Sequence, residues 1–190
     1  LTSQAKLQRF ARDYLPEREA RKFLSQLRYA VEGALSPPEI AIALYLCIDG
    51  NNGGYGVAKP ALNKEIGIDT NLKCSENLKL INMGCEQNKL VIKPDLYWRE
   101  FKLAAEYDSN AFHAAKDQLL TDSSRRSALL KAGITVVSIT EPQFRDANIF
   151  NEVAQGMAKA AGWQVVKFQK VSLKRKLLHF KLMKYFLEGK

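Results

Sequence analysis

Several broad classes are excluded by what the chain has little of. Its three cysteines, Cys47, Cys74 and Cys85, are an odd number at no metal-ligand spacing. That argues against a disulfide framework and a structural zinc site, and favours a reducing, cytoplasmic setting. No apolar run approaches the ~20 residues of a membrane-spanning helix, and no signal-peptide pattern opens the sequence. There is no internal repeat and no low-complexity segment. The stretch Gly53-Gly54-Tyr55-Gly56 lacks the Lys-Ser/Thr of a phosphate-binding loop and reads as a flexible connection. Acids are scarce at one end: residues 164–190 hold eight Lys/Arg against the single acid Glu188, so most of the net charge of +9 sits on one C-terminal element. A basic excess of this kind attracts polyanions or anionic surfaces.

What is present suits a packed chain. With 190 residues and a 46% hydrophobic fraction, one domain with small additions is expected. Residues 4–31 have helical character with a break near Tyr14–Leu15 and a restart at Pro16. Ser36-Pro37-Pro38-Glu39 before the apolar run Ile40–Ile48 predicts a helix opened by a capping box, with Ser36 as N-cap and Glu39 closing it. Asn51 to Cys85 is rich in Gly and Asn and reads as loops with short elements. Leu90–Trp98 and Phe101–Tyr107 are strand-like runs around an Arg99-Glu100 turn, which predicts an antiparallel hairpin. Helical spacing covers Phe112–Ala132 and stops at Gly133; a β-branched strand follows at Ile134–Thr140, then a helix at Gln143–Ala161. In the basic last helix, 171–187, Leu173, Leu177, Phe180 and Leu187 are expected to pack on the body and leave the lysines outward. The order predicts an α/β fold, a mixed central sheet flanked by helices, with added N-terminal helices and a basic C-terminal helix.

Three acids carry the chemistry. Side chains alternate along a strand, so Glu106 and Asp108 share a face, and hairpin pairing can set Asp95 across from them. Converging carboxylates repel unless a cation neutralises them, and a hard oxygen site suits Mg²⁺ or Mn²⁺ with room for substrate phosphate. Metal-assisted phosphodiester hydrolysis uses such a site, because the ion activates a bound water and stabilises phosphoryl charge.

Pro94-Asp95, ten residues, then Glu106-x-Asp108 resembles the PD-(D/E)xK pattern, with Asp108 where many members carry lysine. Glu106-Tyr107-Asp108, His113, Asp122-x-x-Arg125-Arg126, Leu129, Gly133 and the strand Ile134-Thr135-Val136-Val137 together resemble endonuclease-like domains related to very-short-patch mismatch repair enzymes. The resemblance covers residues 88–150 well and 36–48 loosely. It implies a restriction-endonuclease-like core at 36–162, a helical extension at 1–35 and a basic appendage at 163–190. It also implies Asp95 as principal metal ligand, Glu106 as second carboxylate and Asp108 as further ligand or water-orienting group. His113 would be a general base or phosphate contact, and Glu39, on the first core helix, would reach toward the metal. Ser109 stands where many such domains have glycine, and the cysteine-rich insert of the mismatch enzymes is missing, so mismatch specificity is not implied.

Simpler roles stand beside these. The capping box accounts for Glu39, a helix-start histidine is as often a surface residue, and Asp122 with Arg125 or Arg126 is a helix-stabilising pair. The expected activity is Mg²⁺-dependent endonucleolytic cleavage, most naturally of DNA, with the tail supplying phosphate contacts. The alternatives are a catalytically idle DNA-binding or regulatory module in a toxin–antitoxin or defence setting, and a membrane-peripheral protein using its basic helix.

Overall fold

Proline and serine set the first boundaries. In the computed structural model, which describes residues 3–69, 85–86, 89–108, 127, 129–164 and 171–187, helix α1 (Gln4–Tyr14) is capped by Ser3, whose side chain accepts from Lys6 N, and α2 (Glu17–Leu27) starts directly after Pro16.

Helix α3 (Pro37–Cys47) is apolar on nearly every side; Ala41, Ile42, Ala43, Tyr45, Leu46 and Cys47 are all buried. Such a helix belongs at the centre of a fold. The chain then doubles back along its C-terminal end, where Tyr55 N donates to Tyr45 O, Val57 N to Leu46 O and Gly56 N to Ile48 O, at 2.8–3.1 Å. Carbonyls that a helix end leaves without partners are thereby satisfied. The return requires Gly54: a Cβ there would lie 1.9 Å from Ile48 O. The glycine stretch expected to be a flexible connection is therefore a close-packed one, with Tyr55 only 1% exposed.

The strand-like run Leu90–Trp98 splits at Pro94, which has no N–H to give a ladder. Its first half is β4 (Lys89–Ile92), the middle of a three-stranded antiparallel sheet with β2 (Ile66–Asp69) and β3 (Cys85–Glu86). Its second half is β5 (Leu96–Trp98), which belongs to a four-stranded sheet ordered β1-β5-β6-β7, where β1 is Ala61–Leu62, β6 Leu103–Asp108 and β7 Thr135–Thr140. The expected hairpin is present as β5–β6, turned by a 3-10 segment at Arg99–Phe101. β7 adds to β6 in parallel, so the sheet is mixed. Of the helix expected over Phe112–Ala132, Ser127 and residues 129–131 are described and are helical; Gly133 follows at φ 71°.

Alternation along the strands sorts the two faces. Leu96, Trp98, Leu103, Ala105 and Ile139 join the main core with α3 and α5 (Ala147–Ala161). Tyr97, Ala104, Leu129 and Ile134 form a second cluster with Ile92 on the opposite face. The helix expected over Gln143–Ala161 is two, α4 (Glu141–Arg145) and α5, because Asp146 caps the second by accepting from Asn148 N and Ile149 N. Thr140 and Gln143 form a capping box at the start of α4.

The last helix, α6 (Leu173–Phe186), sits differently from the pattern expected of its apolar residues. Leu173, Leu177 and Phe180 are 83%, 52% and 63% exposed. The buried face carries Arg175, His179, Leu182 and Met183; Leu187 does pack against the core, and Lys174, Lys176, Lys181 and Lys184 are outward. Specific partners explain the inversion. The Arg175 guanidinium lies 4.1 Å from the Tyr55 ring centroid and donates to Gly54 O and Asn151 Oδ1. His179 Nε2 lies 2.7 Å from Phe144 O. A cation with a ring face and two acceptors is buried at tolerable cost.

Candidate active site

Asp95 follows Pro94 at the point where β5 begins. Leu96 pairs with Ala105; continuing that register by one residue sets Asp95 opposite Glu106. The Asp95 carboxylate accepts from Tyr107 N at 2.7 Å, so a side-chain oxygen takes a ladder N–H that the neighbouring strand would otherwise fill. This charge-assisted bond holds the carboxylate against β6. The Asp95 carbonyl in turn accepts from Asn63 N at 3.1 Å.

Asn63 had no signal of function in the sequence pattern, yet it joins two of the expected site residues. It sits at φ 49°, a left-handed conformation that asparagine tolerates better than most residues. Its Nδ2 donates to Gly33 O and to Glu39 Oε2. A lone Asn directly after a short buried strand is the trace this leaves in the sequence.

Glu39 is 5% exposed and its carboxylate also accepts from Leu35 N at 2.9 Å and Ser36 Oγ at 2.8 Å. The expected capping box does not form. Ser36 is the N-cap residue but makes no side-chain cap bond: its hydroxyl donates to Glu39, and the backbone N–H that the carboxylate accepts is that of Leu35 rather than Ser36. With three donors around it, Glu39 is tied to the Asp95 loop through Asn63.

Glu106 and Asp108 are alternate residues of β6, both half-buried, standing on the face that Ala104 and Tyr97 mark. One oxygen of Glu106 is fully enclosed. Their parallel neighbours on β7 are Ser138 and Thr140, residues that had been legible only as strand formers. Tyr107, between the acids, turns to the main core; burial, and then the Glu141 charge, push its phenol pKa up. Burial pushes the Cys47 thiol up to about 12, which disfavours the thiolate form that a nucleophilic cysteine needs.

Opposed carboxylates on paired strands destabilise a ladder unless something neutralises them. Among the described residues no three His, Cys, Asp or Glu side chains gather into a metal-holding group, so the three acids do not close into one. A pair of carboxylates still fits Mg²⁺, which takes one or two from the protein and keeps several waters. His113, with Asp117, Ser109, Asp122, Arg125 and Arg126, lies outside the described residues. Among the described residues no helix is long and apolar enough to cross a membrane. Comparison with known families, characterised proteins and solved structures finds no match to this chain.

Proposed function

We propose that the chain is a metal-dependent nuclease of the PD-(D/E)xK type that hydrolyses phosphodiester bonds in DNA. The observation that carries the reading is the Asp95 carboxylate clamped to the Tyr107 N–H just ahead of β5, beside Glu106 of β6. An antiparallel hairpin with a further strand added in parallel to its second arm also suits a restriction-endonuclease-like core.

Asp95 and Glu106 are the residues that would hold Mg²⁺ or Mn²⁺, which when bound supplies charge neutralisation and an activated water. The Tyr107 N–H holds one Asp95 oxygen and fixes the carboxylate against β6. Asp108, two residues along the same face, orients water. Glu39 acts through Asn63 on the backbone of Asp95. From the family resemblance, His113 is the proton-transfer or phosphate-contacting residue.

Incubation of purified protein with plasmid, with and without Mg²⁺ or Mn²⁺, tests the activity. Metal-dependent cutting that Asp95→Asn and Asp108→Asn reduce by orders of magnitude is the expected result. No cutting by the wild type with any of Mg²⁺, Mn²⁺ or Co²⁺ overturns it. A second reading, a catalytically idle module that binds DNA in a toxin–antitoxin or defence setting, draws on the lack of a three-carboxylate group among the described residues. Calorimetric titration with Mn²⁺ separates the two: binding that Asp95→Ala abolishes favours the enzyme.

A further inference from the structure

The face of the sheet that bears Glu106 and Asp108 also bears a cleft of about 670 Å³ toward the hairpin turn. Tyr97 and Ile134 form its apolar floor, and Lys64, Arg99 and Lys102 stand exposed on its rim with one acid, Glu65. Ion pairs among the described residues include those of Arg9, Arg21, Arg28 and Arg145. Lys64, Arg99 and Lys102 have no acidic partner among the described residues. Lysines on a convex surface are ordinarily a solvated face; three exposed cations around one concavity concentrate positive potential.

Lys102 adds a second, independent observation. It adopts φ 46°, in the left-handed region that favours glycine, at the end of the 3-10 turn. Its backbone is committed on both sides, donating to Arg99 O and accepting from Thr135 N. Glycine would meet those backbone requirements with less strain, so the presence of lysine points to a use for its side chain.

From Leu103 to Glu106 is three residues of strand, roughly 10 Å at ~3.4 Å per residue. Measured along a duplex axis, that is about three base-pair rises at ~3.4 Å each.

We infer that this cleft is a phosphate-backbone site, in which Lys64, Arg99 and Lys102 hold a nucleic-acid strand a few nucleotides from the phosphate at Asp95 and Glu106. The inference rests on the nuclease reading for its substrate, but its test does not depend on cleavage. Binding of a short labelled DNA duplex is measured by anisotropy in EDTA for wild type and for Lys64→Gln/Arg99→Gln/Lys102→Gln. If each cation meets one phosphate, the triple variant loses ~2.7 from the slope of log K against log salt, at ~0.9 per contact. The wild-type advantage should then shrink about fortyfold between about 50 and 200 mM salt. An unchanged slope in a folded triple variant, or no duplex binding by the wild type at the lower salt, overturns the site. Lys102→Gly is the folding control: it should melt no lower than wild type yet lose about one third of the slope change. A slope change with no metal-dependent cutting would leave the cleft standing and remove the nuclease reading.

Discussion

Replacing Asp95 by alanine and by asparagine separates its structural role from its chemical one. In the wild type its carboxylate accepts from Tyr107 N at 2.7 Å, and a hydrogen bond to a charged group contributes ~1.5–3 kcal/mol. Alanine removes the acceptor and leaves that N–H unmet at a half-buried position. It also relieves the repulsion with Glu106, which opposed like charges set at ~0.2–1 kcal/mol. The net loss is about 0.5–2.8 kcal/mol. For a chain of this length, ~2–4 °C per kcal/mol gives a melting temperature lower by about 1–11 °C. Asparagine keeps an acceptor for Tyr107. The bond falls from the charged to the neutral range, a loss of ~1 kcal/mol that the relieved repulsion largely offsets, so stability stays within ~1 kcal/mol of wild type. Both variants should lose metal-dependent cleavage by orders of magnitude. Calorimetric melts in EDTA beside plasmid cutting in Mg²⁺ read the two effects separately. Equal melting temperatures for the alanine variant and the wild type would refute the Tyr107 clamp, and full cleavage by Asp95→Asn would refute the ligand role.

Gly54→Ala should cost about 3 kcal/mol in chemical unfolding, because its Cβ would meet Ile48 O at 1.9 Å and the backbone there is bonded in place; a neutral result would refute the close-packed return. Burial holds the His179 imidazolium pKa below its ordinary 6.5, against the Phe144 carbonyl and Asp146, which pull it upward. As pH falls below about 6.5 the unfolded chain takes the proton first, so stability present at neutral pH is lost until His179 protonates in the fold as well. Urea midpoints from about pH 7 to 5 should fall more steeply in wild type than in His179→Gln. Replacing Lys174, Lys176, Lys181 or Lys184 by Gln should move stability by no more than ~0.5 kcal/mol each, since all four are outward. Deleting 171–190 should instead unfold the protein, because Leu182 and Met183 belong to the main core; a cooperative melt of that truncation would contradict the packing of α6. If the lysines hold phosphates, each substitution flattens the salt slope by ~0.9.

Local chemistry was legible wherever one residue decides it. Pro16 and Pro37 mark helix starts, Gly133 a helix end, and the β-branched run at 135–140 a strand, because each follows from backbone freedom that belongs to the residue itself. The alternation that puts Glu106 and Asp108 on one face is likewise a property of any strand. The sequence by itself therefore determined an α/β chain with a hairpin, paired acids and a basic end. Tertiary structure decided what depends on distant partners. Pro94 shows that a strand-like run will break, but only the pairing of β4 and β5 with different neighbours assigns its halves to two sheets. Periodicity on α6 favours Leu173, Leu177 and Phe180 as its inner face, whereas Arg175 and His179 go inside because Tyr55, Gly54, Asn151 and Phe144 meet them there. Asn63 connects Glu39 to Asp95 only because the fold brings residues 33, 39, 63 and 95 together. Hydrogen bonds and charge burial are settled by which groups arrive at the same place, and residues far apart in the chain carry no local mark of one another.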